Sequence, residues 1–264
     1  MKDVRPLKKF GQNYLTDKNI LNKIVEEISP AAGDRIIEVG PGMGSLTHEL
    51  VQRCSDVTAV EIDTRVIEHL AAQYPSLEII SGDFLKTSLD GLQRSPDSLL
   101  RVVGNIPYNI TSPIVFKLIE NSSIVSDAVF MVQYEVAKRM SAVKGTKDYG
   151  IFSIVLSFFA EVKFCFKVSP NVFYPRPNVD SAVVHIYFRK DRQPVSDEKL
   201  FIKTVKAAFG NRRKTLKNSL NNSIFTGINF ENSGINLNLR AEQLDLTDFI
   251  RLTDYIYGVQ HDRR

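Results

Sequence analysis

Two periodicities divide the chain. Runs of consecutive apolar, largely β-branched residues at 35–39, 57–60, 77–80, 99–103 and 127–132 read as buried strands. Between them, apolar residues at three- and four-residue spacing predict helices over 45–53, 64–73, 112–121 and 135–140. An earlier helix is capped by Asp17, carries Ile20, Leu21, Ile24, Val25 and Ile28 on one face, and ends before Pro30. Strands alternating with helices predict an α/β fold, a parallel sheet covered on both faces. After Ala160 the pattern changes. Segments 161–168 and 181–189 are strand-like with only a proline-rich loop between them, so they are expected to form an antiparallel pair closing one edge of the sheet. Residues 191–194 read as a linker, and 198–209, 215–220 and 246–257 as helices. The expected division is therefore a catalytic-type α/β domain over 1–194 and a small helical domain over 195–264.

Composition narrows this only slightly. The 264 residues are 43% hydrophobic and 24% charged, ordinary for a globular protein, and the net charge of +4 permits a nucleic-acid partner. Two unpaired cysteines, Cys54 and Cys165, fit a reducing compartment and offer no metal site. The start has no apolar signal core, and the longest apolar run, 151–160, is interrupted by serines and too short for a bilayer. A cytoplasmic protein without membrane or metal partners is expected.

Candidate chemistry sits where strands end. The first strand leads into Glu38-Val39-Gly40-Pro41-Gly42-Met43-Gly44, a turn whose glycines let a ligand approach the backbone. Its spacing misses the dinucleotide fingerprint, with Ser45 standing where the third glycine belongs. Glu61 stands twenty-one positions after Gly40, Asp83 twenty-two after Glu61, and Asn105 twenty-two after Asp83. Each closes a predicted strand, and the carboxyl ends of strands are where open α/β sheets bind ligands. Glu61 suits the two hydroxyls of a ribose, and Asp83 an adenine amine with Ile62 or Phe84 over the ring. In Asn105-Ile106-Pro107-Tyr108, Pro107 stops the ladder and leaves carbonyl acceptors beside the ring of Tyr108. A dehydrogenase needs an acid or base near its nicotinamide, yet His48, His69, His185 and His261 all fall outside these turns. Acceptors beside a flat ring instead fit methyl transfer to a planar amine.

The glycine turn through Thr47 and Asn105-Ile106-Pro107-Tyr108-Asn109-Ile110 resemble the cofactor and catalytic motifs of adenine-N6 rRNA methyltransferases. The small-subunit rRNA adenine dimethyltransferase branch, rather than the erythromycin-resistance branch acting on large-subunit rRNA, is resembled by four further segments. These are Gly11-Gln12-Asn13-Tyr14-Leu15, the stretch Phe173-Tyr174-Pro175-Arg176-Pro177-Asn178-Val179-Asp180-Ser181, the stretch from Ala208 to Thr215, and Arg240-Ala241-Glu242-Gln243-Leu244. Tyr14 stands where phenylalanine is usual and Ile106 where leucine is common. The resemblance covers almost the whole chain. It implies a Rossmann-like class I methyltransferase sheet with S-adenosylmethionine as cofactor, bound by Asn13, Leu15, Gly40, Gly42, Glu61, Ile62, Asp83, Phe84 and Asn105. It further implies dimethylation at N6 of two adjacent adenosines near the 3′ end of small-subunit rRNA, within a pre-30S particle, by a monomer. The catalytic group is expected to be Asn105, Pro107, Tyr108 and Phe173, with Tyr108 and Phe173 sandwiching an extruded base. Arg212, Arg213, Lys214 and Lys217, joined by Lys8, Lys9, Lys138, Arg139, Lys144 and Lys147, are expected to meet phosphates.

Overall fold

The computed structural model describes residues 6, 7 and 11–261, and the expected phosphate contacts Lys8 and Lys9 lie outside them. The described chain divides into two compact units. One holds the residues up to Ala137 together with Glu161–Lys190; the other holds Lys138–Ala160 and the residues from Asp191 onward. The boundary after Lys190 falls four residues before the expected one at 194, and 138–160, expected in the first domain, group with the second unit.

The first unit is built on a seven-stranded sheet. Strands β2 (Arg35–Val39), β3 (Asp56–Glu61), β4 (Glu78–Ser81), β5 (Leu100–Asn105) and β6 (Val125–Gln133) are joined by parallel pairings. Strand β9 (Ser181–Phe188) runs antiparallel to β6, and β7 (Ala160–Val168) is its outer neighbour. A separate two-stranded ribbon pairs β1 (Tyr14–Leu15) with β8 (Phe173–Tyr174), setting Leu15 opposite Phe173. The sheet order β4-β3-β2-β5-β6-β9-β7 reverses direction between β2 and β5. At such a switch point the loops of neighbouring strands diverge and leave a crevice beyond their carboxyl ends.

Helices form where the pattern predicts them. In α1 (Lys18–Ile28), the Asp17 carboxylate accepts from the backbone N–H groups of Asn19 and Ile20, and Ile24, Val25 and Ile28 are buried. That face packs with Leu46 and Leu50 of α2 (Ser45–Val51) and with Ile36, Val103, Val129 and Val183 of the sheet. The connections α3 (Thr64–Gln73) and α4 (Thr111–Glu120) complete the alternation, and α5 (Tyr134–Met140) follows β6.

Below the sheet's amino ends lies a charged cluster. Arg101, near the start of β5, donates through Nε and Nη2 to the two oxygens of Asp127 on β6, at 2.9 Å each. Its Nη1 reaches Asp34, and Nη2 also caps the Ile28 carbonyl at the end of α1 at 2.6 Å. His185 on β9 bridges Asp127 (2.8 Å) and Glu27 (2.9 Å). Burial opposes ionisation of Asp127, but hydrogen bonds from His185 and Arg101 and the guanidinium charge outweigh it and hold the carboxyl well below its usual range.

The second unit is helical. It contains α6 (Ile151–Phe159), α7 (Glu198–Ala208), α8 (Leu216–Asn221) and α9 (Leu246–His261). Leu200, Phe201, Thr204, Val205 and Ala208 form the buried face of α7, with the Phe201 ring 4.6 Å from that of Phe158. Phe209, Leu216 and Leu220 turn inward as their spacing predicts. Among the described residues no helix is long and apolar enough to cross a membrane.

Replacing Asp127 by alanine strands Arg101 and His185 without their shared carboxylate. It is expected to lower stability at neutral pH by about 3–5 kcal/mol in denaturant titration. Because the Asp127 carboxyl is depressed, its contribution is complete above the ordinary carboxylate range and is lost as pH falls below about 4. The wild type and the variant should therefore converge in acid.

Candidate active site

A cleft of about 240 Å³ opens at the switch point, lined by residues 11–15, the turn after β2, and the ends of β3, β4 and β5. Close backbone packing makes it possible. A Cβ on Gly42, whose φ is +54°, would lie 2.9 Å from the Tyr14 ring, and one on Gly104 would lie 2.5 Å from the Val39 carbonyl oxygen. These glycines let the lead-in segment lie down on the turn and let β5 press against β2.

Glu61 ends β3 with its side chain buried, and its Oε1 accepts from the backbone N–H groups of Ile62 and Asp63, both at 2.9 Å. Burial raises its pKa while these N–H bonds resist the rise, so the site holds a pre-oriented acceptor. Asp83 follows β4, and its Oδ1 accepts from the Leu85 N–H at 2.9 Å. Phe84 is buried beneath with Lys117 Nζ 5.9 Å from its ring centroid, while Ile62 stands 49% exposed at the rim.

Asn105 closes β5. Its Nδ2 donates to the backbone carbonyl of Asn13 at 2.7 Å, and this fixes which way the amide faces. The nitrogen is held by the lead-in segment, and the oxygen is the atom left to accept from a ligand. The Pro107 carbonyl accepts from Ile110 N–H at 3.1 Å, closing the turn. Tyr108 lines the cleft with its hydroxyl 2.6 Å from Ser181 Oγ, which anchors the ring at its far end.

The lead-in segment is tethered along its length. Gln12 Nε2 donates to Asp63 at 3.1 Å, Ser45 Oγ reaches the Leu15 carbonyl at 3.4 Å, and Thr16 N–H donates to the Val172 carbonyl at 2.9 Å. Among the described residues, the buried Tyr14 hydroxyl has no hydrogen-bond partner, and burial, then the charges of Asp63 and Glu61, push its pKa up to about 12.

Comparison with known proteins places this arrangement. The model of the ribosomal RNA adenine dimethylase family matches residues 5–257. The chain belongs to that family. It is 42% identical to the ribosomal RNA small subunit methyltransferase A of Chlorobaculum parvum over 254 residues, 96% of this chain and 90% of the relative. A dimethyladenosine transferase from Plasmodium falciparum superposes with a TM-score of 0.76 at 26% identity, covering 94% of this chain and 97% of that one. The 23S rRNA methyltransferase ErmE superposes with a TM-score of 0.67 at 26% identity, covering 92% and 99%. The fold is thus the α/β methyltransferase sheet expected of a dimethylase.

The structure gathers most of the expected site residues of this adenine dimethylase in one place. Asn13, Leu15, Gly40, Gly42, Glu61, Ile62, Asp83, Phe84, Asn105, Pro107 and Tyr108 all line the cleft. Phe173 does not. Its pairing with Leu15 turns the ring into the apolar cluster with Val103, Met131 and Val183, leaving it 5% exposed, whereas the neighbouring Tyr174 is 65% exposed. In this structure Phe173 packs the core instead of offering a face to the cleft. Arg212 is exposed and donates through Nη2 to the Lys147 and Tyr149 carbonyls at 2.7 and 3.0 Å. Arg213, Lys214 and Lys217 are exposed.

Glu38 opens the glycine motif, where spacing alone assigns it no role. It lines the cleft floor, fully buried, and accepts from Thr47 Oγ1 at 2.7 Å. Burial pushes its pKa up to about 7, with the Thr47 bond opposing and the Glu61 charge assisting. The folded protein therefore holds this proton up to about pH 7, whereas an unfolded chain releases it near about 4.3. The stability so gained is full below the unfolded value and lost as pH rises through the folded one. Glu38→Gln is expected to raise stability at pH 8 by on the order of 1–3 kcal/mol and to change little at pH 4, read by thermal denaturation without ligand.

Proposed function

We propose that this protein is an S-adenosylmethionine-dependent enzyme that dimethylates N6 of two adjacent adenosines near the 3′ end of small-subunit rRNA, during maturation of the small ribosomal subunit. The observation that carries the reading is the Asn105 amide, whose nitrogen is bound to Asn13 and whose oxygen remains as acceptor in the cleft. The name of the 42%-identical relative supports the small-subunit substrate over the large-subunit one.

The residues present fit the cofactor. Gly40 lies in open space at a φ of +65°, so its backbone is approachable, and Glu61 and Asp83 follow on one side of it at the next two strand ends, as acceptors for ribose and adenine. S-adenosylmethionine supplies, when bound, a methyl group activated by a sulfonium leaving group. The chain's own residues do the rest. An exocyclic adenine amine has two hydrogens to donate and a lone pair spread into the ring. Asn105 Oδ1 accepts one hydrogen and the Ile106 carbonyl the other, since the Pro107 carbonyl is already engaged by Ile110. Both bonds draw the lone pair toward nitrogen and orient it. Tyr108, held by Ser181, supplies the stacking face for the extruded base, a contact worth about 1–3 kcal/mol. No strong general base is needed, because the proton leaves after the new bond has made the nitrogen acidic. Positioning can then supply much of the acceleration, up to about 7–11 kcal/mol in well-oriented systems. The exposed Arg213, Lys214 and Lys217 of the second unit serve as phosphate contacts in this reading.

Asn105→Ala is expected to reduce methyl transfer to small-subunit rRNA about 10²–10³-fold, the usual cost of deleting one pre-oriented hydrogen-bonding group. Calorimetric binding of the cofactor should persist in that variant, and near-normal turnover would contradict the acceptor role. Glu61→Ala is expected to weaken cofactor binding about 10–100-fold by removing a charged acceptor; an unchanged affinity would take Glu61 off the ribose.

A further inference from the structure

A second cavity, of about 310 Å³, lies in the same unit and shares no lining residue with the cleft. Its walls are Gln133 at the end of β6, Tyr134 and Glu135, Pro170, and Asn178, Val179 and Asp180 in the loop that enters β9. A chain of strand pairing and hydrogen bonds connects the residues of the second cavity to Tyr108 in the cleft. Gln133 is the register partner of Ser181, Tyr134 N–H donates to the Asp180 carbonyl at 3.0 Å, and Ser181 holds the Tyr108 hydroxyl.

Sheet order turns this adjacency into a direction. Reading across β4, β3, β2, β5, β6 and β9, the strand ends present Asp83, Glu61, the glycine turn, Asn105, and then the second cavity. The cavity therefore lies past the target end of the cleft, away from the cofactor end. At about 4.8 Å per strand, one or two strand spacings separate it from Asn105, a gap that one nucleotide step of an unstacked strand can bridge.

Its lining selects a base over a phosphate. None of the lining residues is a cation, Glu135 adds a carboxylate, and the charge of Asp180 is balanced by Lys167 at 2.6 Å, so nothing in the wall recruits a phosphate. Lys167 Nζ lies over one face of the Tyr134 ring, 4.9 Å from its centroid, and the rest of that ring with the apolar surfaces of Pro170 and Val179 is what a flat heterocycle would meet. The amides of Gln133 and Asn178 carry both donors and acceptors for a base edge. Aromatic and amide groups of this kind are how proteins take up splayed single-stranded RNA bases.

We propose that this cavity binds the nucleobase adjoining the adenine under methylation, so that the chain grips two consecutive nucleotides at once. The inference rests on the methyltransferase reading above and adds a second base subsite to it.

The test uses the full chain and a synthetic RNA hairpin with two adjacent adenosines in its loop, compared with a copy carrying an abasic ribose beside the target adenosine. Kd is measured in the presence of S-adenosylhomocysteine, and methyl transfer in parallel. For the wild type, the abasic copy is expected to bind about tenfold more weakly, in line with the loss of one stacked base. In the exposed-loop variants Asn178→Ala and Val179→Trp, the intact hairpin should bind more weakly by a similar factor and the abasic penalty should shrink below about twofold, with S-adenosylhomocysteine affinity unchanged. An abasic penalty of the same size in wild type and both variants, or none in the wild type, would overturn the subsite. A wild type that binds S-adenosylhomocysteine but ignores the flanking base contradicts this inference alone; one that binds no S-adenosylhomocysteine contradicts the methyltransferase reading and this inference with it.

Discussion

One hydrogen bond organises the site: Asn105 Nδ2 to the Asn13 carbonyl, at 2.7 Å. A side-chain amide is nearly symmetric in shape, and only its surroundings decide whether oxygen or nitrogen meets a ligand. Here the backbone of the lead-in segment takes the nitrogen. That segment can do so because it is pinned at both ends, by Gln12 on Asp63 and by the β1–β8 ribbon. Asp63 also donates its backbone N–H to Glu61. Glu61 and Asn105, the proposed acceptors for a ribose and for the target amine, are thus tied into one framework by a five-residue strap.

The sheet supplies the rest of the geometry. Parallel neighbours all present their carboxyl ends on one side, so a polar residue at the end of each strand becomes part of a row. The buried cluster of Arg101, Asp127, His185 and Glu27 sits toward the opposite ends of the strands, and stitches β5, β6, β9 and the end of α1 together there. The carboxylates near the cleft, Glu38 and Glu61, are raised in pKa by burial, while Asp127 in the cluster is held down by its partners.

Much of this was legible in the sequence, for physical reasons. Strands buried on both faces read as continuous apolar runs, and the recurrence from Gly40 through Glu61 and Asp83 to Asn105 reflects one strand-helix-strand repeat at a time. The antiparallel edge followed from the missing crossover helix between 168 and 181. What escaped lacks periodicity. The two-residue strands β1 and β8 are too short to carry an alternation, so nothing local revealed that Phe173 faces the core while Tyr174 faces out. Helix α6 is apolar nearly all round, and without a polar face its run carried no helical signature and did not signal its place in the second unit. Gln12 and Ser181 act through contacts with residues distant in sequence, and the Glu38–Thr47 bond, though it spans only nine residues, depends on the burial of both side chains, which spacing does not encode.

On the proposed reading, the cleft presents an adenine N6 to a methyl donor, and small-subunit rRNA delivers the base. The most direct measurement incubates the protein with under-methylated small subunits and isotopically labelled S-adenosylmethionine, then maps methylated adenosine by mass spectrometry. Labelled N6-dimethyladenosine is expected at two adjacent positions near the 3′ end of the small-subunit rRNA, with large subunits left unlabelled. Label confined to large-subunit rRNA, or label on atoms other than adenine N6, would contradict it.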